Sequence, residues 1–430
     1  MFRRHRILLP VVAGLVVLLA AGAGIAWWAV HRTVGDVHNG ASLPFTLSSS
    51  APSSTDPSEP GNTTNAADRF GPDWPLYGRV EQRTRDASDM TRIKPPFRTV
   101  WKMDQHALIE FPPSYHRGVL FLGRDDGWVL ALDVKTGDVK WKRRFGPVPN
   151  QPAYWNKKVI FGTFDKPGWV YGLDARNGQI RWKTRLSDQV ESSMVVSDGK
   201  VYTGCNDGTV RALDAETGRV LWTYRASGAV KASIAVDGGR LFFGSYGGNM
   251  YSLRARDGHV LWKSGTSGLA GGFRSGNFYS SPAVAYGRVY LGNTDGKVYS
   301  FVAATGQLAW TSTLPYWAYG SPGTAFGNVY ATSFDGTVAA MDGRTGDRLW
   351  TRKLPFRSLS SATIIGHLVY VADMGNKGRP GHTYALDPRT GAIRWRFHDG
   401  EYHGPIVAEN MLILPGFTTL YALRPRGLKP

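Results

Sequence analysis

The stretch Leu132-Asp133-Val134-Lys135-Thr136-Gly137, followed by Trp141, decides the fold because variants of it recur along the chain. In each variant an apolar run ends before a turn, a glycine occupies the turn, and a tryptophan follows. Successive tryptophans of the series lie 40, 41, 40, 40, 48, 40 and 45 positions apart. A period of about 40 residues with four short apolar runs per unit predicts the blades of a β-propeller. The series consists of Trp101, Trp141, Trp182, Trp222, Trp262, Trp310, Trp350 and Trp395.

Each residue type in the stretch has a structural role. Asp133 ends a strand, and its carboxylate can accept hydrogen bonds from the turn that follows. Gly137 supplies the positive φ angle that such a hairpin requires. The tryptophan then lies on the next strand, where burial removes about 150–250 Å² from water, or roughly 4–6 kcal/mol before chain entropy is subtracted. We therefore expect the eight indole rings to dock each blade on its neighbour.

The repeat, spelled Val-Tyr-Ala-Leu-Asp-x-x-Thr-Gly-x-x-x-Trp in its fullest form, resembles that of the pyrroloquinoline-quinone-like (PQQ-like, or quinoprotein) β-propellers. The resemblance extends over residues 74–425. It implies an all-β fold, and it is closest in style to the non-enzymatic envelope propellers of the outer-membrane barrel-assembly lipoprotein type. The same superfamily includes quinone-dependent alcohol and glucose dehydrogenases.

The last repeat indicates how the ring closes. Its apolar runs near residues 405–408, 411–414 and 419–423 are not followed by a tryptophan-bearing strand of their own. The run Thr99-Val100-Trp101-Lys102, before the first repeat, can supply the missing outer strand. Closure by strands from both ends removes free sheet edges. The sequence therefore predicts an eight-bladed β-propeller with N- and C-terminal strand closure.

Composition restricts the functional classes. The 430 residues carry a formal charge of +18 and include one cysteine, Cys205. A single cysteine excludes an internal disulfide, a cysteine-based zinc site and the N-terminal cysteine of a lipoprotein. A basic chain suits anionic phospholipid headgroups or acidic envelope polymers, although a generally basic surface explains the charge equally well. We expect no nucleic-acid partner because no basic helix or recognition motif is present.

The N-terminal region predicts a membrane tether. Three arginines precede an uncharged run from Ile7 to Val30, long enough to span a bilayer and preceded by the charge that keeps an N-terminus inside. Residues 1–32 are thus predicted to form a basic tip and transmembrane anchor, with the propeller outside the cytoplasmic membrane. A cleaved signal peptide, cut near Ala21-Gly22-Ala23, is the alternative.

Two segments separate the anchor from the repeats. Residues 33–69 are poor in apolar side chains and are predicted to form a flexible Ser/Pro/Thr-rich linker. The propeller domain is assigned to residues 70–430. At its start, the segment Asp73-Trp74-Pro75-Leu76-Tyr77-Gly78-Arg79 resembles the lead-in of many quinoprotein-like propellers. Its simplest structural interpretation is a strap packed on the outside of the ring.

The candidate binding site follows from the strand register. Loops from an outer strand to the next inner strand, and loops between second and third strands, lie on one face, and two of them, 268–276 and 376–381, are longer than their equivalents. Aromatic and charged residues there suit a peptide, a glycan or a planar ligand, although the same residues can simply plug the channel. The first tier is Glu110, Pro149, Glu191, Lys231, Tyr279, Tyr319, Leu359 and Tyr402, and the second is Arg124, Phe164, Tyr246, Phe334 and Phe417.

A metal site is an alternative use of the same face. The loop entering the eighth blade contains His398, Asp399, Glu401 and His403, and ring closure brings His106 and Glu110 to the neighbouring loop. These are metal-ligand types, but their spacing is irregular and solvated loop residues are the more ordinary interpretation. We therefore predict neither a metal nor a cofactor.

The functional prediction is a membrane-anchored extracytoplasmic propeller that acts as a non-enzymatic scaffold for a protein or an anionic polymer of the cell envelope. The alternative is a PQQ-dependent sugar or alcohol dehydrogenase with calcium. The resemblance implies that such enzymes use a ring formed by adjacent cysteines, a stacking tryptophan and calcium ligated by acidic and asparagine residues. Adjacent cysteines are impossible in this chain, and no Cys-x-x-Cys-His haem motif is present.

Overall fold

The structure is a computed structural model that describes residues 35–47, 73–266, 276–376, 380–400 and 402–428. The predicted anchor, most of the predicted linker and most of the long loop 268–276 lie outside these ranges. No helix within them is long and apolar enough to cross a bilayer.

The described residues form eight sheets arranged as propeller blades, preceded by a short 3-10 helix (Gly40–Ser42) and two strands, β1 (Asp86–Ala87) and β2 (Phe97–Asp104). Each blade is listed from its inner to its outer strand. Blades 1 to 4 are β3 (Ser114–His116), β4 (Val119–Gly123), β5 (Trp128–Asp133), β6 (Val139–Arg144); β7 (Ala153–Trp155), β8 (Lys158–Gly162), β9 (Trp169–Asp174), β10 (Ile180–Arg185); β11 (Val195–Ser197), β12 (Lys200–Gly204), β13 (Thr209–Asp214), β14 (Val220–Arg225); and β15 (Ala235–Asp237), β16 (Arg240–Gly244), β17 (Asn249–Arg254), β18 (Val260–Gly265). Blades 5 to 8 are β19 (Ala283–Ala285), β20 (Arg288–Gly292), β21 (Lys297–Val302), β22 (Leu308–Thr313); β23 (Gly323–Ala325), β24 (Asn328–Thr332), β25 (Thr337–Asp342), β26 (Arg348–Lys353); β27 (Thr363–Ile365), β28 (Leu368–Asp373), β29 (His382–Leu386), β30 (Ile393–Phe397); and β31 (Ile406–Ala408), β32 (Met411–Pro415), β33 (Thr419–Pro425) with β2.

The burial of each strand explains its composition. The second strand β8 is buried along its whole length, as expected for a strand covered on both faces by neighbouring blades. The outer strand β6 buries only Trp141 and exposes its other residues, four of which are basic. The tryptophan therefore faces the next blade while the charges of the outer strands face solvent.

The predicted ring closure is confirmed. Strand β2 pairs antiparallel with β33, with Thr99 opposite Leu423 and Trp101 opposite Ala422. The last blade is thus completed by a strand that lies more than 300 positions earlier in the sequence, and the eight-bladed all-β architecture is as predicted.

The tryptophans and the turn glycines form a repeated contact between blades. Trp182 donates its indole N–H to the carbonyl of Ala215 at 3.1 Å, and its ring lies over Gly218, where an added Cβ would be 2.4 Å from ring carbon Cε3. The glycine thus supplies both a positive φ, 74°, and space for the ring. In the described residues the same indole-to-carbonyl hydrogen bond joins Trp101 to Val134, Trp141 to Ala175, Trp222 to Ala255, Trp262 to Ala303, Trp310 to Gly343 and Trp350 to Pro388.

Trp395 is the exception to this contact. The blade that follows it, blade 8, has no Asp/Thr-Gly turn, and Trp395 packs instead edge-on against Phe97 of β2, with 5.0 Å between ring centroids. The closing strand therefore provides the surface on which the seventh blade docks.

The lead-in segment does not lie on the outside of the ring, and that interpretation is wrong. Residues 74–87 run along the inner strands, because successive backbone groups bond to successive blades. Pro75 accepts from Tyr154 of blade 2, Glu81 from Val236 of blade 4, and Arg85 from Ile364 of blade 7, at 2.8–2.9 Å. The segment thus forms a coil inside the channel, and Ala87 ends it by pairing parallel with Ile365.

Buried arginines hold this coil in place. Arg83 is fully buried and donates to the carbonyls of Tyr77, Ser193 and Ile234. Its φ of 56° is in the left-handed region, which a residue with a Cβ adopts only when its surroundings impose it. Burial and the nearby Arg85 guanidinium lower the pKa of Arg83 to about 9. The coil closes the channel at the end opposite the loop-rich face, since Asp73 bonds to His116 at the turn after β3.

Residues 35–47, part of the predicted linker, pack against the propeller, and we call them the strap. Asn39 donates to Ala309 and Thr311 donates to Val37, so that the strap adds an antiparallel segment to the edge of β22. The buried Arg288 donates to the carbonyls of Gly40, Leu43 and Pro44, at 2.6–3.0 Å. The described portion of the predicted linker is therefore docked on blade 5.

Candidate functional site

The centre of the loop-rich face is a hydrogen-bonded cluster that we call the mouth. Tyr279 donates its hydroxyl to Glu191 Oε1, and Lys231 Nζ lies 3.4 Å from Glu191 Oε2. These residues come from the loops that enter blades 3, 4 and 5. The sequence prediction named all three, and the structure places them in direct contact across the channel opening.

Aromatic rings line one side of the mouth. Lys231 Nζ lies 5.1 Å from the centroid of the Tyr246 ring, a cation–π distance. Tyr246 and Tyr279 lie 6.0 Å apart by ring centroid, and Tyr279 contacts Tyr319 nearly perpendicularly at 5.1 Å. The predicted first and second tiers thus merge into one wall rather than forming two rings.

The aromatic wall continues outward through residues that the sequence analysis missed. Tyr319 lies 6.1 Å from Phe334, which was predicted, and 5.6 Å from Trp317, which was not. Trp317 and Tyr316 are exposed by 39% and 46%. Trp317 lies outside the tryptophan period, and that departure was the available signal. The Arg357 guanidinium lies 5.4 Å from the Phe334 centroid.

Carboxyl groups line the other side of the mouth. Burial, together with the nearby Asp125 and Glu191, raises the pKa of Glu110 to about 8. Burial and Asp126 raise the pKa of Asp125, and its Oδ1 is buried without a hydrogen-bond partner among the described residues. Burial, followed by the carboxyl groups of Glu191 and Glu110, raises the pKa of Tyr279. The mouth therefore gathers three neighbouring carboxyl groups, one of which, that of Glu191, is ion-paired with Lys231.

The remaining predicted site residues are engaged differently. Arg124 donates to Asp126 and Gln105, so internal partners occupy its guanidinium. Phe164 is partly buried, and its backbone contacts Pro147 and Gln189. Phe417 is 48% exposed. Pro149 is buried, and Leu359, Tyr402 and Glu110 are partly buried.

Below the mouth, a belt of serines joins the inner strands of successive blades. The backbone N–H of Ser193 donates to Ser233 Oγ, that of Ser233 to Ser281 Oγ, and that of Ser281 to Ser321 Oγ, at 3.0–3.1 Å. Ser321 continues the belt to Ser361, which also contacts the Tyr77 hydroxyl of the lead-in coil. The belt holds the mouth residues, which lie two positions before these serines, in register. These serines recur at the blade period, so the sequence contains a signal for the belt.

The histidines considered as metal ligands do not share one environment. His403 is partly buried beside Phe111, with 4.6 Å between ring centroids, and burial and Arg85 lower its pKa to about 3. His106 is 86% exposed and pairs with Asp104. Within the described ranges, which exclude Glu401, no three histidine, cysteine, aspartate or glutamate side chains are placed to hold a metal ion.

The residues of this chain do not reproduce the quinone site that the resemblance implies. Cys205 is buried and its thiol donates to the carbonyl of Asp188, well away from a paired-cysteine arrangement. The carboxyl groups at the mouth do not converge on one point, since no three acidic, histidine or cysteine side chains in the described ranges are placed to hold a metal ion. The donor set therefore does not fit quinone and calcium.

The fold, the blade docking and the closed ring define a PQQ-like repeat β-propeller. A family model described as outer membrane protein assembly factor BamB matches residues 125–275 and 269–398, more than half of the chain. The chain belongs to this family. No curated protein matches it.

Solved structures show the same fold at low sequence identity. BamB from Moraxella catarrhalis superposes with a TM-score of 0.66 and 21% identity, over 78% of this chain and 100% of that one. A europium-containing methanol dehydrogenase gives 0.69 and 15%, over 82% and 90%. The quinohemoprotein alcohol dehydrogenase ADHIIG from Pseudomonas putida HK5 gives 0.68 and 15%, over 85% and 82%. At these identities the likeness concerns the fold alone.

Proposed function

We propose that this chain is a non-enzymatic scaffold of the cell envelope, tethered to the cytoplasmic membrane through residues 7–30 and binding a protein partner at the mouth. The observation that carries the proposal is the contact network of Glu191, Lys231, Tyr279 and Tyr319 on the loop-rich face. Membership of a family described as an assembly factor supports a scaffold role. The apolar run after three arginines supports the tether.

The chemistry of the mouth favours a cationic group on the partner. The carboxyl groups of Glu110, Asp125 and Glu191 lie near one another, and Lys231 forms an ion pair with Glu191. Tyrosine faces beside carboxylates attract lysine and arginine side chains, because ring quadrupole and carboxylate both favour a positive charge. We propose that a lysine or arginine of the partner enters between Glu110 and Glu191.

The experiment is cross-linking and recovery of partners from the native membrane with the full-length chain. Glu191→Lys and Tyr279→Ala should each reduce recovery of a specific partner at least tenfold, while thermal unfolding shows that the variants fold. The matched control is Phe326→Ala, which truncates a 49% exposed ring in the turn between β23 and β24, on the opposite face. Unchanged recovery with both mouth variants would reject the mouth as the binding site.

A second assay separates this function from the alternative. The purified chain is mixed with PQQ and calcium and supplied with sugars or alcohols and a reducible dye. We expect no saturable dye reduction. Substrate-dependent reduction that Glu110→Gln abolishes would instead establish an oxidoreductase.

A further inference from the structure

The direction of the strap shows on which face the N-terminal segment leaves the propeller. The Asp36 carboxylate accepts from Thr313, the last residue of β22, whereas Asn39 bonds to Ala309 near its start. Because β22 ends at the loop-rich face, Gly35 lies at the rim of the mouth face. From there the strap runs to the opposite face, where Thr46 donates to Tyr286 in the turn after β19.

The strap is held firmly on the propeller and does not act as a flexible part of the tether. Arg288 is fully buried and binds three strap carbonyls, and Gly40 is buried against Trp310, with no room for a Cβ. The position of Gly35 relative to the ring is therefore set by the fold. Any tether that precedes it begins at a defined point on blade 5.

The chain between the predicted anchor and this point is short. The apolar run ends at Val30, five residue steps before Gly35. At about 3.3–3.6 Å per residue, five fully extended steps span at most about 18 Å. The mouth-face rim of blade 5 must then lie within that distance of the end of the apolar run.

An exposed aromatic tip occupies this rim. Pro315, Tyr316 and Trp317 follow Leu314, the first residue after β22, and the last residue of β22, Thr313, is bound to Asp36. The rings of Tyr316 and Trp317 lie 4.9 Å apart, and both are substantially exposed. Tyrosine and tryptophan with one apolar face and one polar edge favour the headgroup level of a bilayer.

We propose that the mouth face lies against the membrane surface, with the tip Pro315–Trp317 at the lipid headgroups beside the anchor. This inference rests on the tether in the proposed function. In this orientation the mouth faces the bilayer and the opposite face is turned away from it. The partner must therefore be presented at the membrane surface, as the membrane-proximal segment of another membrane protein is.

The test uses the full-length chain in phosphatidylcholine vesicles that contain headgroup spin-labelled lipid. Pro315→Cys and, as matched control, Phe326→Cys on the opposite face of blade 6 each carry one fluorophore, and Cys205 is buried and remains unlabelled. We expect quenching at position 315 to exceed that at position 326 at least threefold. Tyr316→Ser with Trp317→Ser should reduce the quenching at position 315.

Equal quenching at both positions, or stronger quenching at position 326, would overturn the orientation. Mass spectrometry showing a mature chain cleaved near Ala21-Gly22-Ala23, without most of the apolar run, would overturn it as well. The two proposals can fail separately. If the mouth is not the binding site, the Glu191→Lys variant recovers the partner as well as the wild type does, while the quenching difference between positions 315 and 326 remains.

Discussion

At the residue scale, the turn glycines show how one position can serve two purposes. Gly218 has a φ of 74° and lies under the ring of Trp182, whereas Gly199, in the first turn of the same blade, has a φ of 71° and nothing within 4 Å of an added Cβ. The two glycines therefore separate the cost of backbone conformation from that of lost packing space.

We predict that Gly218→Ala lowers the free energy of unfolding by about 2–4 kcal/mol, combining left-handed strain with overpacking. Gly199→Ala should cost only about 1–2 kcal/mol, from the strain alone. Urea denaturation followed by tryptophan fluorescence measures both. Equal losses in the two variants would show that the indole contact does not require glycine.

A second prediction at this scale concerns Glu110. Because its pKa in the folded chain is about 8 and the ordinary value is 4.5, the folded state binds the extra proton between these values. Stability contributed by this group is present at low pH and is lost as pH rises toward 8. Glu110→Gln should therefore flatten the dependence of unfolding free energy on pH between pH 5 and 9.

Other ionisable groups lie around Glu110. Asp125 and Glu191 are close to it, and Lys231 and Tyr279 bind Glu191. Asp36→Asn is a suitable control because it also removes a carboxylate. Asp36 belongs to the strap and binds Thr313 at the outer strand of blade 5. If wild type and Glu110→Gln gain and lose stability in parallel across this pH range, the raised pKa is contradicted.

At the scale of elements, the outer strands reveal why the strap docks where it does. Seven of the eight outer strands in the described ranges carry basic residues, whereas β22, with the sequence Leu-Ala-Trp-Thr-Ser-Thr, carries none and is largely buried. Its threonines bind Asp36, and its edge binds the strap backbone. The loss of charge in one repeat thus marks a covered edge.

We predict that Arg288→Met lowers the free energy of unfolding by about 3 kcal/mol or more, because three strap carbonyls, including that of the buried Gly40, lose a charged donor. Amide exchange in residues 36–46 should accelerate in the variant. Arg240→Met is the matched control, since Arg240 occupies the same first position of β16 and, among the described residues, donates a hydrogen bond to the exposed carbonyl of Ala304. The control should change stability by no more than about 0.5 kcal/mol.

An unaltered exchange rate of the strap in Arg288→Met would contradict this account. It would mean that the antiparallel pairing with β22 holds the strap without the guanidinium.

At the scale of the whole molecule, closure depends on one non-consecutive blade. Strand β2 joins β33 in register, and Trp101 docks blade 8 on blade 1 by donating to Val134 at 2.9 Å. In each of the other seven blades the four blade strands are consecutive in the sequence. The pairing of β2 with β33 therefore controls whether the ring is open or closed, and Trp101 anchors β2 on blade 1.

We predict that Trp101→Ala and Trp182→Ala each cost about 3–5 kcal/mol in stability, as large-to-small substitutions do. Only Trp101→Ala should raise amide exchange in β33, because it weakens the closing strand while Trp182→Ala weakens a junction inside the ring. Hydrogen exchange measured by mass spectrometry decides this. Equal protection of β33 in both variants would show that closure does not depend on the indole.

Several features could be predicted from the sequence because they depend on local repetition. The period of the tryptophans, the turn glycines and the alternation of the outer strands establish the eight blades and their closure. The same register located Glu191, Lys231, Tyr279 and Tyr319 on one face before their contacts were known, since equivalent positions in repeats occupy equivalent places.

Other features depended on the tertiary structure, because they join segments that share no repeat. The lead-in coil fills the channel through single hydrogen bonds to one blade after another, and the strap finds β22 some 270 positions away. The outward extension of the mouth to Trp317 arises from side chains that meet only after the ring closes. Periodicity thus determines the ring, while contacts between non-repeating segments determine what fills its channel and covers its edge.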